Sequence, residues 1–261
     1  MKTLEKYSSI NRKHWNEVAS VHQEKYVNNL LHLIADKNFT TFDSVEKKLF
    51  NQIQLFGKSV AQINCNNARE LISVKRAGAS RCVGFDISDE FIKQGEALKQ
   101  AADVDIELVC TDIYDLGNAY DNQFDLLYIT IGVFGWLKDL ATFFSILSRL
   151  LKPGGQIFIY EMHPILELFE EDSGGTIRND YFNKKPYFTE NENDYMNPDK
   201  VIESPSYWFH HSLSEILGSL IKHGFNINHF AEYAHDISGR GEFLASQEKR
   251  PPMCFSLIAS R

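Results

Sequence analysis

Between residues 60 and 159 short apolar runs alternate with longer amphipathic stretches, and a chain with that rhythm has few folds open to it. Runs of four to eight apolar residues are too short for buried helices, so they form strands covered on both faces by the amphipathic segments. The pattern predicts strands at 59–64, 81–86, 106–110, 124–131 and 156–160, with helices at 68–77, 88–101 and 140–151 between them. Ser88 stands where a helix N-cap belongs, Gly78 where a helix stops, and Pro153-Gly154-Gly155 follows the third helix. Further on, Ser212-x-x-Glu215 reads as a capping box, its helix ends at Gly224, and two closing strands are expected at 225–233 and 253–259. Pro251-Pro252 suits the start of a strand and not its middle. The expectation is an α/β fold of three layers, with a seven-stranded, mainly parallel sheet and an antiparallel C-terminal edge pair.

Two segments lie outside this alternation. Residues 1–57 read as an aromatic-bearing helical cover, with Trp15, Tyr26, Phe50 and Phe56, and residues 58–261 as the sheet domain. Within that domain an inserted flap at about 162–206 lacks sustained periodicity, and residues 161–203 carry 11 acidic against 4 basic side chains. Long connections of this kind in a compact domain usually serve function. A net charge of −8 with only Lys184-Lys185 and Lys249-Arg250 as basic pairs argues against nucleic acid, because a surface that tracks phosphates shows a basic excess. The absence of a long apolar run argues against membrane insertion, and the polar N-terminus against secretion, so a cytoplasmic protein is expected. Cys65, Cys82, Cys110 and Cys254 match neither a zinc ribbon nor a disulfide framework, and read as reduced core thiols.

In an open α/β sheet a cofactor binds beyond the carboxyl ends of the strands, where strand order reverses. The turn after the first strand reads Asn64-Cys65-Asn66-Asn67-Ala68, without the usual glycines; asparagine is the next residue to tolerate positive φ, and alanine the next smallest. The second strand ends at Asp86, 22 residues after Asn64, a spacing at which a carboxylate can accept hydrogen bonds from both hydroxyls of a ribose.

The segment VAQINCNNARELISVKRAGASRCVGFDIS resembles the first two strands of a class I, Rossmann-like S-adenosylmethionine-dependent methyltransferase. The likeness continues in LVCTDIYDL, QFDLLYITIGVFGWL, LSRLLKPGGQIFIYEMHP, YWFHHSLSEILGSLIKHGF and PPMCFSLIAS, five motifs and more in the expected order. It implies that S-adenosylmethionine is the cofactor and that Asn64, Cys65 and Asn66 line its methionine and ribose side. Asp86 and Ile87 would hold ribose and adenine, Asp112 and Ile113 the adenine edge, and Thr130 and Ile131 the floor below the reacting methyl group. Gln62 departs from the family, which often has an acidic residue there, as does Asn-x-Asn in place of Gly-x-Gly.

Methyl transfer asks the protein mainly for alignment and exclusion of water, with a general base where the nucleophile carries a proton. Glu161 and His163, two residues apart at the end of the fifth strand, are the candidate bases. Trp136, His210 and His211 are candidate lining of a substrate pocket. No metal is expected; a site built from Glu161, His163 and one of the His210-His211 pair is the alternative weighed. The leading expectation is methyl transfer to a small molecule. Its rival is a non-catalytic cofactor-binding or scaffold protein, and a nicotinamide-dependent oxidoreductase rests on Asp86 alone.

Overall fold

The computed structural model describes residues 2–170 and 174–261; residue 1 of the expected cover and residues 171–173 of the expected flap lie outside it. The chain begins with α1 (Lys2–His22), a π-helical turn (Gln23–Val27), α2 (Asn28–Ala35) and α3 (Ser44–Ile53). It continues through β1 (Ser59–Ile63), α4 (Arg69–Arg76), β2 (Arg81–Asp86), α5 (Asp89–Ala102), β3 (Glu107–Cys110), β4 (Phe124–Thr130), α6 (Leu140–Leu150) and β5 (Leu151–Met162). Four short strands follow, β6 (Tyr187–Thr189), β7 (Glu192–Asn193), β8 (Val201–Ile202) and β9 (Ser206–Trp208), then α7 (Leu213–Lys222), β10 (Asn226–Tyr233), α8 (Glu242–Ala245) and β11 (Cys254–Ser260).

The seven-stranded sheet has the order β10-β11-β5-β4-β1-β2-β3. Strands β1 to β5 pair in parallel, and β11 runs antiparallel between β5 and β10, so the chain's last strand is internal and β10 forms the edge. Order reverses between β1 and β4, which places the switch point at the carboxyl ends of those two strands. The fifth strand begins at Leu151 and not at residue 156: Pro153-Gly154-Gly155 lies within it as a bulge, with Gly154 at φ 77° and a register shift between the Phe124–Leu151 and Leu126–Gln156 pairs.

Helix boundaries follow local chemistry. Ser88 accepts from the Phe91 N–H at 3.1 Å and starts α5, and Ser212 and Glu215 form the expected capping box of α7. A second capping box, Asp43 with Glu46, opens α3. One face of the sheet buries Ile63, Phe85, Ile129, Phe143, Phe144 and Leu220; the other buries Val60, Leu71, Leu98, Tyr128 and Phe158. Each fully buried side chain of this size contributes about 1.5–3 kcal/mol, so these two layers supply the rigidity on which the strand-end loops rest.

Candidate functional site

The turn after β1 answers the question raised by its missing glycines. Asn64, Asn66 and Ala68 all adopt left-handed backbone conformations, with φ of 53°, 52° and 59°. Left-handed residues thus alternate along the turn. The Asn66 side chain accepts from the Asn67 N–H at 2.8 Å, and the Ala68 N–H donates to the Cys65 carbonyl at 2.8 Å, which closes the turn onto the start of α4.

Asp86 reaches across from the end of β2. Its Oδ2 accepts from the Asn66 N–H at 2.7 Å and its Oδ1 from the Ser88 N–H at 2.9 Å. Burial pushes this carboxyl up to about 6, against the downward pull of the Ser88 and Asn66 backbone donors. Each oxygen keeps a lone pair free for a further donor.

The other residues expected to line a cofactor divide by side-chain direction. Cys65 is fully buried, and a Cβ on Gly84 would lie 2.7 Å from its Sγ; the thiol packs under the turn, so only its backbone faces the cleft. Ile87 is half-buried beside Asp86. Asp112 caps the turn beyond β3 by accepting from the Tyr114 N–H at 3.0 Å, and Ile113 is buried in the core next to it. Thr130 is half-buried at the end of β4, whereas Ile131 is 40% exposed. At Gly132, with φ of 83°, a Cβ would meet nothing within 4 Å. An exposed apolar residue and an open glycine at the switch point form a floor that a flat ligand could cover. Beneath the turn, the Oε1 of Gln62 is buried without a hydrogen-bond partner, an acceptor that a ligand's ammonium would satisfy.

Glu161 and His163 are not brought together as free bases. Glu161 Oε1 accepts from the N–H groups of Gly132 at 2.5 Å and Met162 at 2.8 Å, and Oε2 from Val133 at 2.8 Å. The carboxylate therefore pins the turn at the end of β4; burial raises its pKa and those backbone donors oppose the rise. His163 Nδ1 accepts from the Ile165 N–H at 3.1 Å and its Nε2 faces Glu232 Oε1 at 2.9 Å, a pairing that fixes the tautomer with hydrogen on Nε2. His211 is held by the Leu137 carbonyl at 2.5 Å from Nε2. Among the described residues no group of three His, Cys, Asp or Glu side chains is arranged to hold a metal ion; Glu161 and His163 face separate partners, and neither ring nitrogen of His210 has a hydrogen-bond partner.

Trp136 does stand in an aromatic wall. Its ring lies 4.8 Å from Trp15 and 5.0 Å from Trp208, both edge-on, so all three tryptophans of the chain meet above the ends of β4 and β5. Trp15 comes from α1 and Trp208 from β9. Neither Trp15 nor Trp208 lies in a spacing that marks it as a wall residue from sequence alone.

Helix α1 is tied on both sides. Toward β2 and α5, Asn16 Nδ2 donates to Asp89 at 2.9 Å, Ser88 Oγ donates to Asn16 at 2.7 Å, and Arg12 pairs with Asp89 at 3.0 Å. Toward the insertion, Asn11 makes two hydrogen bonds with the Tyr207 backbone, at 2.9 and 2.8 Å, and Glu17 accepts from the N–H groups of Glu203 and Ser204, each at 2.8 Å. His14 meets the Ser204 carbonyl at 2.9 Å and Glu192 at 3.2 Å, and the buried His22 meets buried Asp194 at 2.9 Å. The helix and the insertion thereby span the strand ends from opposite directions.

Known proteins resemble this chain in sequence and in fold. Residues 61–159 match the family described as a methyltransferase domain. An uncharacterized protein of Methanocaldococcus jannaschii is 29% identical over 136 residues, 48% of this chain and 62% of that protein. A tRNA U34 carboxymethyltransferase of Campylobacter lari is 27% identical over 110 residues, 42% of this chain and 37% of its own length. The match thus spans less than two thirds of either relative. In fold, the chain is similar to magnesium protoporphyrin IX methyltransferase from Synechocystis, solved with bound SAH, with a TM-score of 0.55, 17% identity and coverage of 97% of this chain and 99% of that one.

Proposed function

Because the chain belongs to the class I S-adenosylmethionine-dependent methyltransferase family, whose cofactor is S-adenosylmethionine, we propose that it transfers a methyl group to a small molecule held under α1 and the insertion. The observation that carries this reading is the turn at 64–68, where three left-handed residues and the Asp86 carboxylate keep a cofactor-shaped backbone without a glycine. When bound, the cofactor supplies a methyl group on a sulfonium, already activated for in-line displacement.

The chain's own residues bind, orient and exclude water. Asp86 accepts from the ribose hydroxyls, the backbone of Asn64, Cys65 and Asn66 borders the methionine and ribose side, and Gln62 Oε1 takes an ammonium hydrogen. Ile87, Asp112 and Ile113 border the adenine; Thr130 and Ile131 form the floor below the methyl group. Glu161 positions the Gly132 turn, and His163 positions the segment beyond β5; neither abstracts a proton. Trp15, Trp136 and Trp208 wall the space above, where excluding water strengthens each polar contact to the acceptor.

A small acceptor is favoured over RNA by the net charge of −8 and by the acidic insertion that borders the entrance. No helix among the described residues is long and apolar enough to cross a membrane. Incubation with methyl-labelled S-adenosylmethionine and a panel of small hydroxyl, amine and thiol compounds tests the proposal. Label transfer with release of S-adenosylhomocysteine supports it, whereas cofactor retention without transfer to any compound favours a binding-only protein.

A further inference from the structure

The inner face of helix α1 is largely polar. Among its described residues the buried ones are Asn11, His14, Val18, Ala19 and His22, and the apolar cluster it shares with Phe91 and Ile202 is small. An apolar stripe tolerates slippage, whereas hydrogen bonds hold over a narrow range of distance and angle. A helix held in the second way docks in one place or lets go.

Its seat on the sheet side is Ser88. That residue is fully buried and makes three hydrogen bonds: its N–H donates to Asp86 Oδ1 at 2.9 Å, its Oγ accepts from the Phe91 N–H at 3.1 Å, and its hydroxyl donates to Asn16 Oδ1 at 2.7 Å. Asn16 Nδ2 in turn donates to Asp89 Oδ1 at 2.9 Å. The Arg12–Asp89 pair beside it has side chains 48% and 36% exposed and adds little in water. Asn16 is thus one buried serine away from the carboxylate proposed to hold the ribose. On the far side of the helix, the N–H groups of Glu203 and Ser204 donate to Glu17 and that of Tyr207 to Asn11. Two tryptophans of the aromatic wall lie next to these ties in sequence: Trp15 precedes Asn16, and Trp208 follows Tyr207.

We infer that Asn16 is a positioning residue through which occupancy of the Asp86 site holds α1, and with it the insertion, over the strand ends. The wall of Trp15, Trp136 and Trp208 is then completed when the cofactor is bound. The inference rests on the methyltransferase reading above and adds an order of binding to it, cofactor first and acceptor second. The element with two states is α1, docked or released. Docking needs the junction of β2 and α5 in one geometry, because Ser88 must meet Asp86 with its N–H and Asn16 with its hydroxyl at once. A ribose on the free lone pairs of Asp86 fixes the carboxylate and favours that geometry; with α1 released the junction relaxes and binds the cofactor less well. A ligand shifts an equilibrium only through such a difference, and the effect is reciprocal. With the cofactor in place the acceptor meets a finished wall, from which water is kept out.

Amide hydrogen exchange of the full chain, with and without saturating S-adenosylhomocysteine, tests this at Glu203, Ser204 and Tyr207, whose N–H groups bond to α1. The ligand should slow exchange at those three amides by about fivefold or more in the wild type, as well as at 64–68 and 86–88. In Asn16→Ala the effect at 64–68 and 86–88 should persist while that at the three amides falls below about twofold. Alanine favours a helix more than asparagine does, so the variant keeps α1; Asn16→Ser, too short to bridge Ser88 and Asp89, is the second variant. Gln94→Leu cuts the 2.6 Å bond from Gln94 to the Ala19 carbonyl of α1 without touching Ser88, and should keep the full effect. No slowing at the three amides in the wild type, slowing that survives both Asn16 variants, or slowing lost equally in Gln94→Leu overturns the inference and leaves the methyltransferase reading standing. Failure to bind S-adenosylhomocysteine at all overturns both.

Discussion

The Asp86 carboxylate and the Asn66 backbone are joined by a 2.7 Å hydrogen bond that ties the end of β2 to the turn after β1. The turn is thus held by its neighbour strand as well as by its own residues. A loop fixed in this way presents a ligand with a preformed surface, and the entropy of ordering it is not charged to binding.

Burial of Asp86 sets a pH dependence. Burial raises the Asp86 pKa to about 6, above its ordinary value of 3.8, so its contribution to stability is present below about pH 4 and lost as pH rises through about 6. On the proposed reading cofactor affinity runs the opposite way, because an ionised Asp86 can accept from both ribose hydroxyls and a protonated one cannot. S-adenosylhomocysteine affinity should therefore fall as pH drops below about 6, by up to tenfold per unit, and the Asp86→Asn variant should bind more weakly without that slope. Titrations from pH 5 to 8 check both; an equal slope in the variant removes Asp86 from the role.

The left-handed turn makes a stability prediction. Asn64→Gly should change unfolding free energy by no more than a few tenths of a kcal/mol, whereas Asn64→Ala should cost about 1 kcal/mol, since alanine tolerates positive φ less well. Urea midpoints of the two variants decide it. Equal midpoints would mean that the backbone at 64 relaxes freely.

Glu161→Gln tests the reassignment of that residue from base to support. An amide offers one oxygen where three backbone N–H groups now converge, so the variant should lose about 2–4 kcal/mol of stability. A normal melting temperature combined with lost turnover would restore the catalytic role.

The tie between α1 and the insertion is open to hydrogen exchange. Asn11→Ala removes both bonds to the Tyr207 backbone, worth about 1–2 kcal/mol together. Exchange should accelerate roughly tenfold at residues 203–207 while the central strands keep their protection. Uniform acceleration across the sheet would show that the bonds support the whole fold.

The sheet was legible from sequence because fully buried parallel strands leave unbroken apolar runs, and the Asn64-to-Asp86 spacing located the turn without a structure. Direction of side chains was not legible where the backbone departs from regular geometry. Cys65 sits inside a left-handed turn that sends its thiol into the core, so its place in the motif gave no sign of that. At the end of β5, alternation put Glu161 and His163 on one face, but their partners come from β4's turn and from β10, remote in sequence. Likewise Asn11, His14, Glu17 and His22 recur at helical spacing and look like a solvated face; only the insertion, nearly 200 residues away, turns them into ties.

The most direct measurement is calorimetric titration of the purified chain with S-adenosylmethionine and S-adenosylhomocysteine, with NADH alongside. Micromolar binding of the first two, weakened in Asp86→Asn, and none of NADH is expected. Absence of binding by either sulfur compound, or preference for NADH, would contradict the methyltransferase reading.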